Sequence, residues 1–207
     1  MAAVVTGEFM KHLVQKQLAQ SIATMQATLA DLHIADTIVT IAELTANAMQ
    51  AGRKLLVAGN GGSAADAQHL VAEFVVRLTA NRPALRAVAL TTDSSILTAA
   101  GNDFSFDCIF ARQVEALGQP GDLFLGISTS GNSKNILQAV QQAKQMDMTT
   151  IGFSGNGGGR MSALCDYNVI IPSNVTMNIQ ECHLALEHIF CMAVERFYFG
   201  NDIETKK

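Results

Sequence analysis

Residues 54–70 read KLLVAGNGGSAADAQHL, and this stretch decides the fold. A short apolar run at 54–58 breaks into Gly59-Asn60-Gly61-Gly62-Ser63 and then into a helix-forming segment that carries His69. Unbroken apolarity over so few residues suits a strand buried on both faces, as in a parallel sheet. Four more runs of the same kind follow, at 87–90, 122–127, 149–153 and 167–171. The segments between them are long enough for crossover helices. Strands and helices alternating in this way predict a three-layer, doubly wound α/β fold with a parallel sheet.

Outward from that core, residues 8–31 are rich in helix formers. Leu13, Leu18, Ile22, Met25 and Leu29 recur there at mixed three- and four-residue steps. A second helical stretch at 34–50 is closed by Ala51-Gly52, and the longest helical signal is the last, at 178–199. The expected organisation is a helical extension over 1–52 and one compact α/β unit over 53–207, with no linker and no internal repeat.

The chain has 207 residues, 49% of them hydrophobic and 15% charged, which excludes intrinsic disorder. A net charge of −4 argues against nucleic acid as the partner. No apolar run reaches the roughly 18–20 residues of a membrane helix, and the N-terminus lacks the basic and apolar regions of a secretory signal. Cys108, Cys165, Cys182 and Cys191 form no CxxC pair, as expected of reduced thiols in a cytosol. A cytoplasmic protein without membrane or nucleic-acid partners is expected. Low charge with many Ala and Leu also hints at surface buried between subunits.

Ligands of such sheets bind at the carboxyl ends of strands, where loops enter helix N-termini. Two loops there have the composition of anion sites. Gly59-Asn60-Gly61-Gly62-Ser63 permits close backbone approach beside exposed helix N–H groups. It is neither a GxGxxG fingerprint nor a P-loop. Ser128-Thr129-Ser130-Gly131-Asn132-Ser133 offers four hydroxyls at a helix start, a phosphate cradle that needs no lysine. Such residues also make ordinary turns and N-caps. Two such loops after buried strands of one sheet favour the phosphate reading. A third, Gly155-Asn156-Gly157-Gly158-Gly159, is read as a turn.

His69 and Glu73 stand four apart on a helix, hence on one face, as two metal ligands or an acid/base pair would. An exposed helical pair has the same spacing. On the last helix Gln180, His183 and Glu187 share one stripe, and Glu181 and His188 share another. Periodicity does not choose between the two histidines.

Four motifs in order, GNGGSAADAQH (59–69), TAAGNDF (98–104), GISTSGNS (126–133) and IQECHLALEH (179–188), resemble the sugar isomerase (SIS) domain family. More narrowly, the chain resembles the phosphoheptose isomerases, which convert D-sedoheptulose 7-phosphate into D-glycero-D-manno-heptose 7-phosphate. That is the first step toward activated heptose for surface polysaccharide. The resemblance runs from about residue 8 to residue 200. It implies a flavodoxin-like core with added helices, assembled as a homotetramer with sites at subunit contacts.

Carried over position by position, Ser128, Thr129, Ser130 and Ser133 would hold the sugar phosphate. Asn60, Gly61, Gly62 and Ser63 would line the sugar chain, and Asn102 and Asp103 would meet its hydroxyls. One zinc ion per subunit would be bound by His69, Glu73, Gln180 and His188, so the resemblance selects His188 and leaves His183 to packing. Glu73 and Gln180 would also touch substrate, and Glu73 and His188 would be the catalytic pair. Met177 stands where some relatives carry an acidic residue. A non-enzymatic relative that binds the replication initiator lacks residues matching Glu73 and His188, and this chain has both. Regulators of the family add a helix-turn-helix domain, for which 207 residues leave no room. An isomerase of another ketose phosphate, or a sugar-phosphate sensor without turnover, would share the same loops.

Overall fold

The apolar runs become parallel strands; the three central ones are buried on both faces, while the edge run at 87–89 leaves Val88 exposed. A computed structural model describes residues 5–200, so the outermost ends of the two expected units, 1–4 and 201–207, lie outside the described residues. The strands are β1 (Leu55–Gly59), β2 (Ala87–Ala89), β3 (Leu123–Ser128), β4 (Thr149–Ser154) and β5 (Tyr167–Ile170). They form one five-stranded sheet in the order β2-β1-β3-β4-β5, every neighbouring pair parallel. The register pairs Leu55 with Leu123 and Leu123 with Thr149.

Alternate strand residues feed two separate cores, as the two-residue side-chain period requires. Leu55, Val57, Leu125, Ile127 and Phe153 face one side, where α2 (Leu32–Gln50), α3 (Gly62–Val75) and α7 (Thr176–Phe199) cover them. Leu56, Ala58 and Phe124 face the other, under α4 (Ser94–Asp103), α5 (Ala111–Leu117) and α6 (Lys134–Gln145). That is the expected three-layer flavodoxin-like architecture with a helical pair at the N-terminus and a long last helix.

The helical pair divides unequally. α2 sends Ile34, Ile38, Ile41, Ala42 and Met49 into the core. α1 (Gly7–Ala30) does not. It leans on α7 through Thr24 and Thr28, with Thr28 Oγ1 donating to Cys182 Sγ at 3.6 Å and Asn178 Nδ2 donating to Thr24 Oγ1 at 3.3 Å. The apolar residues that mark α1 in the sequence, Leu13, Leu18, Ile22, Met25 and Leu29, are all exposed, Leu29 by 82%. Among the described residues no helix is long and apolar enough to cross a membrane.

Candidate active site

Strand order reverses between β1 and β3, and the crevice at their carboxyl ends is where such a sheet binds ligands. Both loops singled out above open there. After β1, Gly61 takes φ +56° and ψ −120° at the start of α3, a backbone that L side chains rarely adopt. A Cβ on Gly59 would stand 2.2 Å from the carbonyl oxygen of Ser63, so only glycine closes this turn. Ser63 itself is buried. After β3, the hydroxyls of the serine loop turn toward one another. Ser128 Oγ lies 2.9 Å from Ser133 Oγ and 3.5 Å from Ser130 Oγ. Ser133 is the N-cap residue of α6, yet its hydroxyl makes no capping hydrogen bond. The hydroxyl is therefore not used as a plain helix cap, and it joins a cluster beside a helix N-terminus that attracts anions. Thr129 is half-buried in the same loop, and its carbonyl accepts from Gly155 N.

One residue and one loop whose roles the sequence did not reveal hold these loops. Asn135, buried at the start of α6, exchanges two amide hydrogen bonds with Asn60, at 2.9 and 2.8 Å, and so bridges the loops across the crevice. The stretch 155–159, read as a turn, is packed against the serine loop. A Cβ on Gly131 would lie 2.0 Å from Gly158 O, and Met161 N donates to Gly131 O. Asn132 Oδ1 accepts from Arg160 N at 3.1 Å. Repeated glycine was the available signal, and it marks a turn without naming what the turn packs on.

A second cluster stands on α3 and α7. His69 Nε2 is 2.7 Å from His188 Nε2 and 3.7 Å from Glu73 Oε1. Ligand atoms of all three residues lie within 4.8 Å of one another. Two opposed imidazole nitrogens with a carboxylate beside them form a donor set suited to a proton shared between bases or to a divalent cation. The structure thus separates the two histidines of α7. His183 is fully buried, its Nε2 3.1 Å from Ser154 O, and burial holds its pKa down at about 4, so it stays neutral.

Gln180 lies nearer the start of α7, against the first loop. A Cβ on Gly62 would meet its Nε2 at 2.5 Å, so this glycine makes room for the amide. Asn102 and Asp103 are not brought to the serines. They are exposed at the end of α4, Asn102 Nδ2 donating to Asp103 Oδ1 at 2.8 Å. Asp103 lines a different cavity, of about 360 Å³, with Ile96, Phe104 and Arg112. The cavity at the β1 loop, about 160 Å³, is lined by Gly59, Asn60, Gly61, Ala64, Thr91 and Phe106. Glu187, which spacing puts on one stripe of α7 with Gln180 and His183, has a buried carboxyl with no hydrogen-bond partner among the described residues. Burial, and then the Asp66 carboxylate, push its pKa up to about 8. Burial also raises Asp66, against the opposing pull of His69.

Comparison with known proteins places this geometry in a family. The SIS domain model matches residues 18–155. The phosphoheptose isomerase of Clostridium acetobutylicum is 46% identical over 94% of this chain and all of its own length. That of Burkholderia pseudomallei is 50% identical, covering 90% of this chain and 95% of the relative. The solved structure of phosphoheptose isomerase from Neisseria gonorrhoeae superposes with a TM-score of 0.85 at 42% identity, over 90% of this chain and 98% of that one. Whole-length identity at this level, with fold and loops in agreement, leaves one assignment: the chain belongs to the SIS-domain family and, within it, to the phosphoheptose isomerases.

Proposed function

We propose that the chain interconverts D-sedoheptulose 7-phosphate and D-glycero-D-manno-heptose 7-phosphate, an aldose–ketose isomerisation that supplies heptose for surface polysaccharide. The observation that carries this reading is the presence in a single chain of both a serine hydroxyl cluster and a His69–Glu73–His188 cluster. Ser128, Thr129, Ser130 and Ser133 bind the phosphate, remote from the reacting carbons, and their binding energy fixes C1 and C2. Asn60, Gly61, Gly62, Ser63 and Gln180 line the chain of the sugar. Asn102 and Asp103 meet its hydroxyls once the site is completed at a subunit contact.

Glu73 removes the proton from C1, the C1–H electrons form the C1=C2 bond of an enediolate, and the C2 carbonyl pair moves onto O2. O1 then loses its proton and closes the C1 carbonyl as the C1=C2 pair takes the proton back from Glu73 at C2. His188 carries the proton that must move between O1 and O2. His69, Glu73 and His188 also fit zinc by donor type and mutual approach, with Gln180 as the fourth ligand. Zinc bound there would supply Lewis acidity toward the enediolate oxygens. The protein acts in the cytosol as a homotetramer, a state supported by the exposed apolar residues of α1 and α7. The adaptor that binds the replication initiator would not need Glu73 opposite His188.

Glu73→Gln tests the base. Turnover should fall about 10²- to 10⁴-fold, while calorimetry still detects sedoheptulose 7-phosphate binding. Near-wild-type turnover would remove Glu73 from that role.

A further inference from the structure

Helix α3 ends at Val75, two residues after Glu73, and the last carbonyls of a helix lack an intrahelical donor. The Arg82 side chain supplies it at Glu73 and shares Phe74 O with the backbone N–H of Leu85, which donates at 3.0 Å. Arg82 Nη2 donates to Glu73 O at 2.7 Å, Nη1 donates to Phe74 O at 2.6 Å and to Pro83 O at 3.1 Å, and Nε donates to Glu195 Oε1 at 2.8 Å. The Arg82 and Glu195 side chains are 1% and 2% exposed. Glu195 also accepts from Leu78 N at 3.3 Å and from Thr79 Oγ1 at 3.5 Å. The Phe199 ring lies 6.0 Å from the guanidinium carbon.

Glu195 follows His188 by seven residues, two turns along the same face of α7. The ion pair therefore ties the end of the helix that bears Glu73 to the helix that bears His188. Stability alone is a weak reason for it, because desolvating two charges offsets most of their attraction and an apolar pair would fill the space as well. A planar guanidinium forked across three carbonyls and a carboxylate supplies something an apolar pair lacks, a fixed orientation of the groups it holds.

We propose that Arg82, with Glu195 as its counter-ion, is a positioning residue for the isomerisation, holding the backbone at Glu73 so that the carboxylate stands correctly against His188. The proposal rests on the reading of Glu73 as the base. The partners of Arg82 are Glu73, Phe74, Pro83, Glu195 and Phe199, none of them in the serine cradle, so its loss is felt in the chemical step and not in substrate capture.

Arg82→Lys keeps the charge and loses the fork. In the full-length protein kcat should fall about tenfold or more while KM stays within about twofold, since misplacing a reacting group by about 1 Å costs up to about 10²-fold. Glu195→Gln, nearly the same size, should shift kcat in the same direction, and it supplies the reading if Arg82→Lys does not fold. A lowered melting temperature with kcat unchanged would overturn the proposal, as would a raised KM with kcat unchanged. Glu73→Gln separates the two claims. If it turns over at the wild-type rate the base reading fails. If it is inactive while Arg82→Lys works at the wild-type rate, only the positioning role fails.

Discussion

Glu187 is fully buried beside Asp66, with no hydrogen-bond partner among the described residues, and its pKa stands near 8. Below about pH 4.5 the acid is protonated in both folded and unfolded chains, so it makes no difference to stability. As pH rises from there toward 8, the unfolded chain releases the proton and the folded chain keeps it, so stability is progressively lost. Glu187→Gln mimics the protonated acid and removes that loss. Its melting temperature should exceed wild type by about 5 °C at pH 8 and match it at pH 5, read by calorimetry at one protein concentration. Equal melting temperatures at both pH values would contradict this account. His183 acts in the opposite sense: its contribution is present above its ordinary pKa of 6.5 and is lost as pH falls through about 4. Neither effect was legible in the sequence, where Glu187 and His183 were stripe-mates on a helix. Periodicity places residues on a face, and only packing decides which face meets water.

Among the elements, the strands were legible because burial on both faces writes itself as continuous apolarity, and the five runs lie where the five strands form, within a residue or two. His69 and Glu73 were legible because four-residue spacing is a local property of one helix. Asn60 and Asn135 are 75 positions apart, and Arg82 and Glu195 are 113 apart, so their pairing is a fact of tertiary structure that no local pattern encodes. The 155–159 stretch shows the same limit: glycines mark a turn, but not that the turn packs on the serine loop. Gly131 has φ +63° and no room for a Cβ beneath Gly158 O. Gly131→Ala must therefore push the two loops apart. KM for the sugar phosphate should rise about tenfold or more, because hydrogen bonds to a charged group are worth about 1.5–3 kcal/mol each. Steady-state kinetics check this, and an unchanged KM would separate the loop from phosphate binding.

At the scale of the molecule, α1 leaves an apolar surface that a monomer has no use for: Phe9, Leu13, Val14, Leu18, Ile22 and Leu29 are all exposed. From sequence these residues mark a helix, but not whether its partner is this chain or another copy. Burying a Leu or Ile side chain contributes about 1.5–3 kcal/mol, so if the proposed tetramer is built on α1, Leu18→Glu with Ile22→Glu should dissociate it. Light scattering would show a smaller species, and an unchanged mass would place the contacts elsewhere. In the proposed reaction the serine cradle and the Glu73–His188 pair together isomerise a heptulose phosphate. The most direct measurement follows D-sedoheptulose 7-phosphate by NMR in the presence of the protein, with and without added zinc, beside Glu73→Gln and His188→Gln. The account predicts conversion to D-glycero-D-manno-heptose 7-phosphate by the wild-type protein and its loss in both variants. Tight binding of the sugar phosphate with no conversion under either condition would contradict it, and would make the protein a sensor or an adaptor.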